Sequence, residues 1–305
     1  MSIVVTGATG HLGRLVLESL LRRGAPAGEL VAVGRAVDKL DDFAGRGVQV
    51  RAMDYDDAGS VAAALKGASR VLLISGSAVG QRLEQHRTVI DAARAEGVEL
   101  LAYTSIANAD STEMKLAAEH QATEKLLAES GLPHVLLRNG WYLENYTEQL
   151  PGTLAQGGFA GSAGDGKVSA AARADYADAA AAVLLADDQA GKVYELGGDQ
   201  AFTMAELAAE ISAAAGQPVA YQDLPAADYA AMLAGFGVPA DLAGILADSD
   251  VGIARGDLLV TSGQLASLIG RPATTMPDAV RSAVAALKDA APEHGTGNEA
   301  DPAAK

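Results

Sequence analysis

Thr6-Gly7-Ala8-Thr9-Gly10-His11-Leu12-Gly13 follows the apolar triplet Ile3-Val4-Val5 and opens a stretch of helical periodicity that runs from about residue 12 to 23. A strand, a glycine turn and a helix in direct succession need glycine for separate reasons. Gly7 permits the tight turn. Gly10 lets the backbone approach a pyrophosphate with no Cβ in the way, and Gly13 lets the helix pack close on the strand. Amides at the helix start then face the anion. The stretch therefore reads as a dinucleotide-binding turn, with Thr9, His11 and Leu12 among its lining residues.

Outward from this turn, short apolar runs alternate with helical segments as far as about residue 138. The runs are Leu30–Val33, Val48–Val50, Val71–Ile74, Leu100–Tyr103 and Val135–Leu137, and the helices fall near 59–66, 81–96 and 114–129. Near-continuous apolar runs suit strands covered on both faces, so the sheet should be parallel. The fold class is α/β, a doubly wound parallel sheet of Rossmann-like type, with a smaller C-terminal α/β substrate portion. After Asn139 the period is lost, and Gly157, Gly158, Gly161, Gly164 and Gly166 crowd a segment that reads as loop. A helix is expected from about Asp175 and a strand at Val193–Leu196. Thr203-Met204-Ala205-Glu206 matches a capping box. Val219–Gln222 reads as a strand, and 228–236, 240–246 and 277–287 as helices. The division expected is 1–150 for the dinucleotide-binding domain and 151–290 for the substrate-covering portion, with a disordered tail over 291–305.

The chain has 305 residues, 49% of them hydrophobic and 20% charged, enough to bury a full core. Its 23 Lys and Arg stand against 39 Asp and Glu, a formal charge of −16, and that field repels nucleic acid. With no Cys, disulfides, thiolate zinc sites and Cys nucleophiles are excluded. No signal-like leader and no apolar run of membrane-spanning length occurs, so a cytoplasmic protein with no membrane partner is expected. The acid clusters Asp54-Asp56-Asp57 and Asp248-Asp250 read as turn or cap residues rather than a metal site, and no metal is expected.

The second strand ends in Gly34-Arg35, where a site for NAD usually carries Asp or Glu toward the ribose hydroxyls. Arg35 offers a fork of donors suited to a 2′-phosphate, which favours NADPH (or NADP⁺), and Arg14 and Lys39 stand near enough to add charge. Asp54, just past the third strand, is placed for the adenine edge.

These features, with Ser75-Gly76-Ser77, Tyr103-Thr104-Ser105 and above all Arg138-Asn139-Gly140-Trp141-Tyr142-Leu143-Glu144-Asn145-Tyr146, resemble the NmrA-like atypical branch of the short-chain dehydrogenase/reductase superfamily. Within it the chain looks like the second type of bacterial NAD(P)H:quinone oxidoreductase. The resemblance implies an NADPH-dependent enzyme that transfers a hydride to a small-molecule quinone, as a monomer or homodimer. It places Ser75, Gly76 and Ser77 along the ribose and pyrophosphate path, and Thr104 and Ser105 toward the nicotinamide. Asn139, Gly140, Trp141, Tyr142 and Glu144 would border cofactor and substrate.

An ordinary member of the superfamily carries a Tyr and a Lys four residues apart on the helix after the fifth strand, where the phenol protonates an alkoxide. Here the matching positions hold Leu116 and His120. Loss of that acid is costly for an isolated ketone. It is tolerable for a quinone, whose reduction leaves a delocalised anion. The proton donor stays open, with His86, His120 and Tyr142 as candidates. Tyr142, Asn145 and Tyr146 are candidate quinone contacts, by stacking or hydrogen bonding. The missing phenol is equally compatible with a non-catalytic redox sensor of NAD(P) that regulates a protein partner. It argues against an epimerase or dehydratase.

Overall fold

The apolar runs pair side by side, all in parallel, in a seven-stranded sheet of order β3-β2-β1-β4-β5-β6-β8. The computed structural model describes residues 1–76 and 78–290, so Ser77 and the expected tail over 291–305 lie outside the described residues. The strands are β1 (Ile3–Val5), β2 (Leu30–Gly34), β3 (Gln49–Ala52), β4 (Arg70–Leu73), β5 (Leu100–Ile106), β6 (His134–Asn139) and, after β7 (Gly158–Gly161), β8 (Val193–Leu196). Side chains alternate across the sheet, as the two-residue period requires. Ile3, Val5, Leu30, Ala32 and Leu72 face a core under α1 (His11–Arg22) and α8 (Arg173–Leu185). Val4, Val31, Val33, Val71 and Leu73 face the opposite core, under α3 (Ala58–Leu65), α4 (Arg82–Glu96) and α5 (Ala118–Ser130). The fold class read from the sequence holds.

The sheet continues past residue 150. β8 pairs with β6 from Leu136↔Val193 to Asn139↔Leu196. α8 lies along α1, tied by Ser19 Oγ donating to Asp178 Oδ1 at 2.6 Å. α12 (Gln264–Ile269) packs on α8. Both α8 and β8 thus belong to the main sheet layer, although the sequence division assigns them to the smaller portion. The glycine-crowded stretch also departs from its reading as loop. Two of its glycines bound β7, which pairs in parallel with β9 (Ala220–Asp223). Around that two-stranded sheet lie the short helices α6 (Glu144–Thr147) and α7 (Leu150–Gln156), with α9 (Met204–Ala215), α10 (Ala226–Gly235), α11 (Ala240–Arg255) and α13 (Met276–Ala290). α11 runs to Arg255, well beyond the expected 246, and the segment expected as helix from 114 begins with a 3₁₀ turn over Lys115–Ala117. α2 (Asp41–Ala44) is a short turn beside β3.

The capping box is formed. Thr203 Oγ1 accepts the Glu206 amide at 3.1 Å, and Glu206 Oε2 accepts the Thr203 amide at 2.8 Å. Thr203→Ala removes one of these and is expected to lower unfolding stability by about 1 kcal/mol in a denaturant titration; no change would mean that the helix start is held by packing alone.

Candidate dinucleotide-binding site

Strand order reverses between β1 and β4, and in an open parallel sheet ligands bind outside the carboxyl ends at that point. A cleft of about 380 Å³ lies there, lined by Gly7, Thr9, Gly10, His11, Leu12, Gly13, Arg35, Asp54, Ser75 and Gly76. Ten residues singled out in the sequence are thus brought together. Gly7 sits at φ +60, the left-handed region. A Cβ on Gly13 would lie 2.4 Å from Gly7 O and 2.7 Å from Ala8 Cα, so the helix packs on the turn only with glycine there. Gly10 carries a milder constraint inside the protein, its Cβ meeting Gly7 O at 3.3 Å. No side chain caps α1, and its first turn holds no acid. The amides of His11, Leu12 and Gly13 donate to no backbone carbonyl. Such a helix start has donors and a partial positive charge to offer an anion. A dinucleotide pyrophosphate fits this turn.

Arg35 is exposed at the rim and makes no ion pair among the described residues, so Asp38 does not claim it. Arg14 is spent elsewhere, donating to Lys39 O at 2.7 Å and to the Asp42 carboxylate, which it holds below the usual carboxylate range. It does not add to the phosphate site as expected. Residues that the sequence reading missed complete the lining. Tyr55 Oη bonds Thr6 Oγ1 at 2.8 Å and Ile74 O at 3.2 Å, tying the ends of β1 and β4 together. Gln81, Gln85 and Asp56 stand on the facing wall.

Thr104 lies beneath the cleft, its Oγ1 accepting the Ser75 amide at 2.9 Å. Ser105 donates to Glu124 Oε1 at 2.6 Å, in a buried network where Arg138 pairs with Glu124 and Glu195. His86 is fully buried and does not line the cleft. Its Nε2 accepts the Gly76 amide at 3.2 Å, and its Nδ1 lies 2.9 Å from Thr123 Oγ1, which itself donates to Glu119 O. That arrangement assigns the ring proton to Nδ1. Burial, and then the Arg82 guanidinium, push the imidazole down to about 4. A ring with both nitrogens engaged holds the loop after β4 and is no proton donor. His120 is likewise buried, its Nδ1 2.8 Å from Tyr103 Oη, and burial followed by Arg82 lowers it to about 3, so it stays neutral.

Beyond Asn139, the assigned residues do not line the cleft. Tyr142 packs edge-on against Tyr176 at 5.3 Å and beneath the Arg173 guanidinium at 5.2 Å, and burial raises its phenol. Its ring is occupied, which removes it as a stacking platform or acid. Glu144 accepts the Arg173 amide with both oxygens at 2.9 Å and so caps α8. Trp141 packs against the apolar cluster formed with Phe202, Leu207 and Val280, Gly140 carries its amide to Leu196 O, and Asn145 is exposed. Tyr146 Oη is buried with no partner, its ring edge-on to Phe202.

A family model described as NAD(P)H-binding matches residues 7–187, and the chain belongs to this family. It is 50% identical over 278 residues to Quinone oxidoreductase 2 of Escherichia coli (strain K12), covering 91% of this chain and 97% of that protein. The fold agrees with the crystal structure of an Escherichia coli NADPH-dependent quinone oxidoreductase complexed with NADPH, at a TM-score of 0.89 and 49% identity over 94% of this chain and 99% of that one. It also agrees with a Citrobacter triphenylmethane reductase complexed with NADP(H), at a TM-score of 0.87 and 36% identity over 92% and 100%. The family resemblance read from the Arg138–Tyr146 run is sound. No helix among the described residues is long and apolar enough to cross a membrane.

Proposed function

We propose that the protein is an NADPH-dependent quinone oxidoreductase that transfers a hydride to a small-molecule quinone. The observation that carries this reading is likeness over nearly the full length of Quinone oxidoreductase 2, combined with a dinucleotide cleft whose rim carries Arg35, exposed and without an ion pair among the described residues. In this reading the amides of His11 to Gly13 bind the pyrophosphate, and Arg35 grips the 2′-phosphate. Asp54 meets the adenine edge. Ser75 and Gly76 border the ribose path, on a loop held by His86 and Thr104. His120, neutral and oriented by Tyr103, takes the place of the missing Lys near the nicotinamide ribose. The bound cofactor supplies the hydride.

What the protein adds is position. With two rings held face to face and water excluded, a quinone needs little further help, because the negative charge it gains is spread over an aromatic product. This explains how Leu116 can stand where the superfamily has its phenol. The test is NADPH oxidation with 1,4-benzoquinone followed by absorbance. Turnover well above the protein-free rate is expected; a rate equal to that background would reject the enzyme and favour the sensor.

A further inference from the structure

Asp250, on α11, lies in a cluster that the dinucleotide cleft does not use. Its Oδ2 accepts the Ser162 amide at 2.8 Å and presses so close on Gly161 that a Cβ there would stand 2.5 Å away. Besides the Ser162 amide, the groups that interact electrostatically with this carboxyl are Tyr146 from α6, Tyr221 and Asp223 from β9, and Tyr229 from α10, with Tyr221 lying against the same Gly161. Asp250 and the three tyrosines are all half-buried rather than sealed. Two donors in the cluster, Tyr146 Oη and Ser162 Oγ, are buried with no hydrogen-bond partner among the described residues, an expensive arrangement unless a ligand completes it. Among the described residues no cation offsets the carboxyl. Burial pushes it up to about 6, against the Ser162 amide, with the Asp223 charge adding to the rise.

The cluster overhangs the correct end of the sheet. Asp248, two residues earlier on α11, accepts the Lys115 amide at 2.7 Å in the segment after β5, and Gly252 meets Met114 so closely that a Cβ would lie 2.5 Å from its sulfur. Tyr146 ends the run that leaves β6 at Asn139. Asp250 therefore lies on a helix that packs against the segment following β5 and beside the run following β6, and both of these leave the carboxyl edge of the sheet, where an open parallel sheet binds its ligands.

Building on the quinone-reductase reading, we propose that Asp250 is the proton donor to the reduced quinone, in a ring site walled by Tyr146, Tyr221 and Tyr229. Hydride transfer brings two electrons and one proton to the quinone and leaves a hydroquinone monoanion. The Asp250 carboxylic acid gives its O–H proton to that oxygen, becomes a carboxylate and regains a proton from water. The balance is one reduced dinucleotide, one quinone and one proton in, with one oxidised dinucleotide and one hydroquinone out. Tyr146 Oη and Ser162 Oγ are the donors free to bond the other quinone oxygen, and aromatic walls suit a flat ring.

Asp250→Asn tests this, because the amide oxygen still accepts from Ser162 and keeps the turn. With 1,4-benzoquinone and NADPH, wild-type kcat is expected to fall as pH rises through about 6, the carboxyl losing its proton above that value. The variant should show a flat profile with kcat lower by about 10²-fold, and a quinone KM within about threefold of wild type. A readout without turnover accompanies it. In the NADP⁺-loaded protein, infrared difference spectra should show a protonated carboxyl that titrates near 6 and is missing in Asp250→Asn. A variant that keeps the wild-type kcat and its alkaline fall, or a protein in which no such carboxyl titrates, overturns the assignment. Failure of the wild-type protein to reduce any quinone overturns instead the reading beneath it.

Discussion

Arg35→Ala is expected to lower kcat/KM for NADPH by roughly 10²-fold, the loss that follows when a charge-assisted bond worth about 2 to 3 kcal/mol is removed. The same change should leave kcat/KM for NADH within about threefold, because NADH has no 2′-phosphate for the fork to hold. The effect should fall on KM, since the adenosine end lies far from the reacting carbon and binds ground state and transition state alike. The guanidinium is exposed at the rim, so the NADPH preference should also shrink as salt is added. Equal losses for both coenzymes would show that Arg35 holds the loop rather than a phosphate.

Gly13→Ala is expected to damage both folding and binding. Its Cβ would lie 2.4 Å from Gly7 O, 2.7 Å from Ala8 Cα and 2.8 Å from Gly7 C, all backbone atoms of the turn itself. Backbone does not yield as the tip of a flexible side chain does, so α1 must lift from the turn. Urea unfolding should show a loss of about 3 kcal/mol, the upper range for overpacking, and NADPH binding should disappear with the displaced amides. Gly10→Ala provides the contrast. Its Cβ would meet Gly7 O at 3.3 Å, a contact relieved by a shift of a few tenths of an ångström, so the variant should fold nearly normally and lose mainly binding. If both variants fold and bind as wild type does, the turn is not the seat of the pyrophosphate.

Much of this was legible in the sequence, for reasons that can be named. Strands buried on both faces must be apolar along their whole length, so β1, β2, β4, β5 and β6 announced themselves, and the ordered glycines fixed the turn between β1 and α1. β7 was hidden because its close neighbours demand glycine. A Cβ on Gly158 would lie 2.6 Å from Ala220 O, and Gly161 lies under Asp250, so a strand was written in residues that read as loop. The boundary at 150 was misplaced for a related reason. The chain leaves the sheet for α6, α7 and β7, then returns with α8 and β8, and composition reports only the departure.

The site divides in the same way. Residues whose backbone makes the cleft were found through glycine spacing. Tyr55, Gln81 and Gln85, which reach it by side chains from separate elements, carried no periodic signal. His86, a candidate proton donor, faces the core instead, and its ring serves the Gly76 amide. Tyr142 was read as a free aromatic face, which only the positions of Tyr176 and Arg173 could contradict. Asp250 read as a turn acid, and its Oδ2 does serve the Ser162 amide. The phenols gathered from α6, β9 and α10 become neighbours only through the fold.

Isothermal titration of NADPH, and separately of NADH, into the wild-type protein bears most directly on the central claim, that helix-start amides and Arg35 together seat a 2′-phosphorylated dinucleotide. One molecule of NADPH per chain should bind with measurable heat, and NADH should bind roughly 10²-fold more weakly. Absence of heat with either coenzyme, or equal affinity for both, would contradict it.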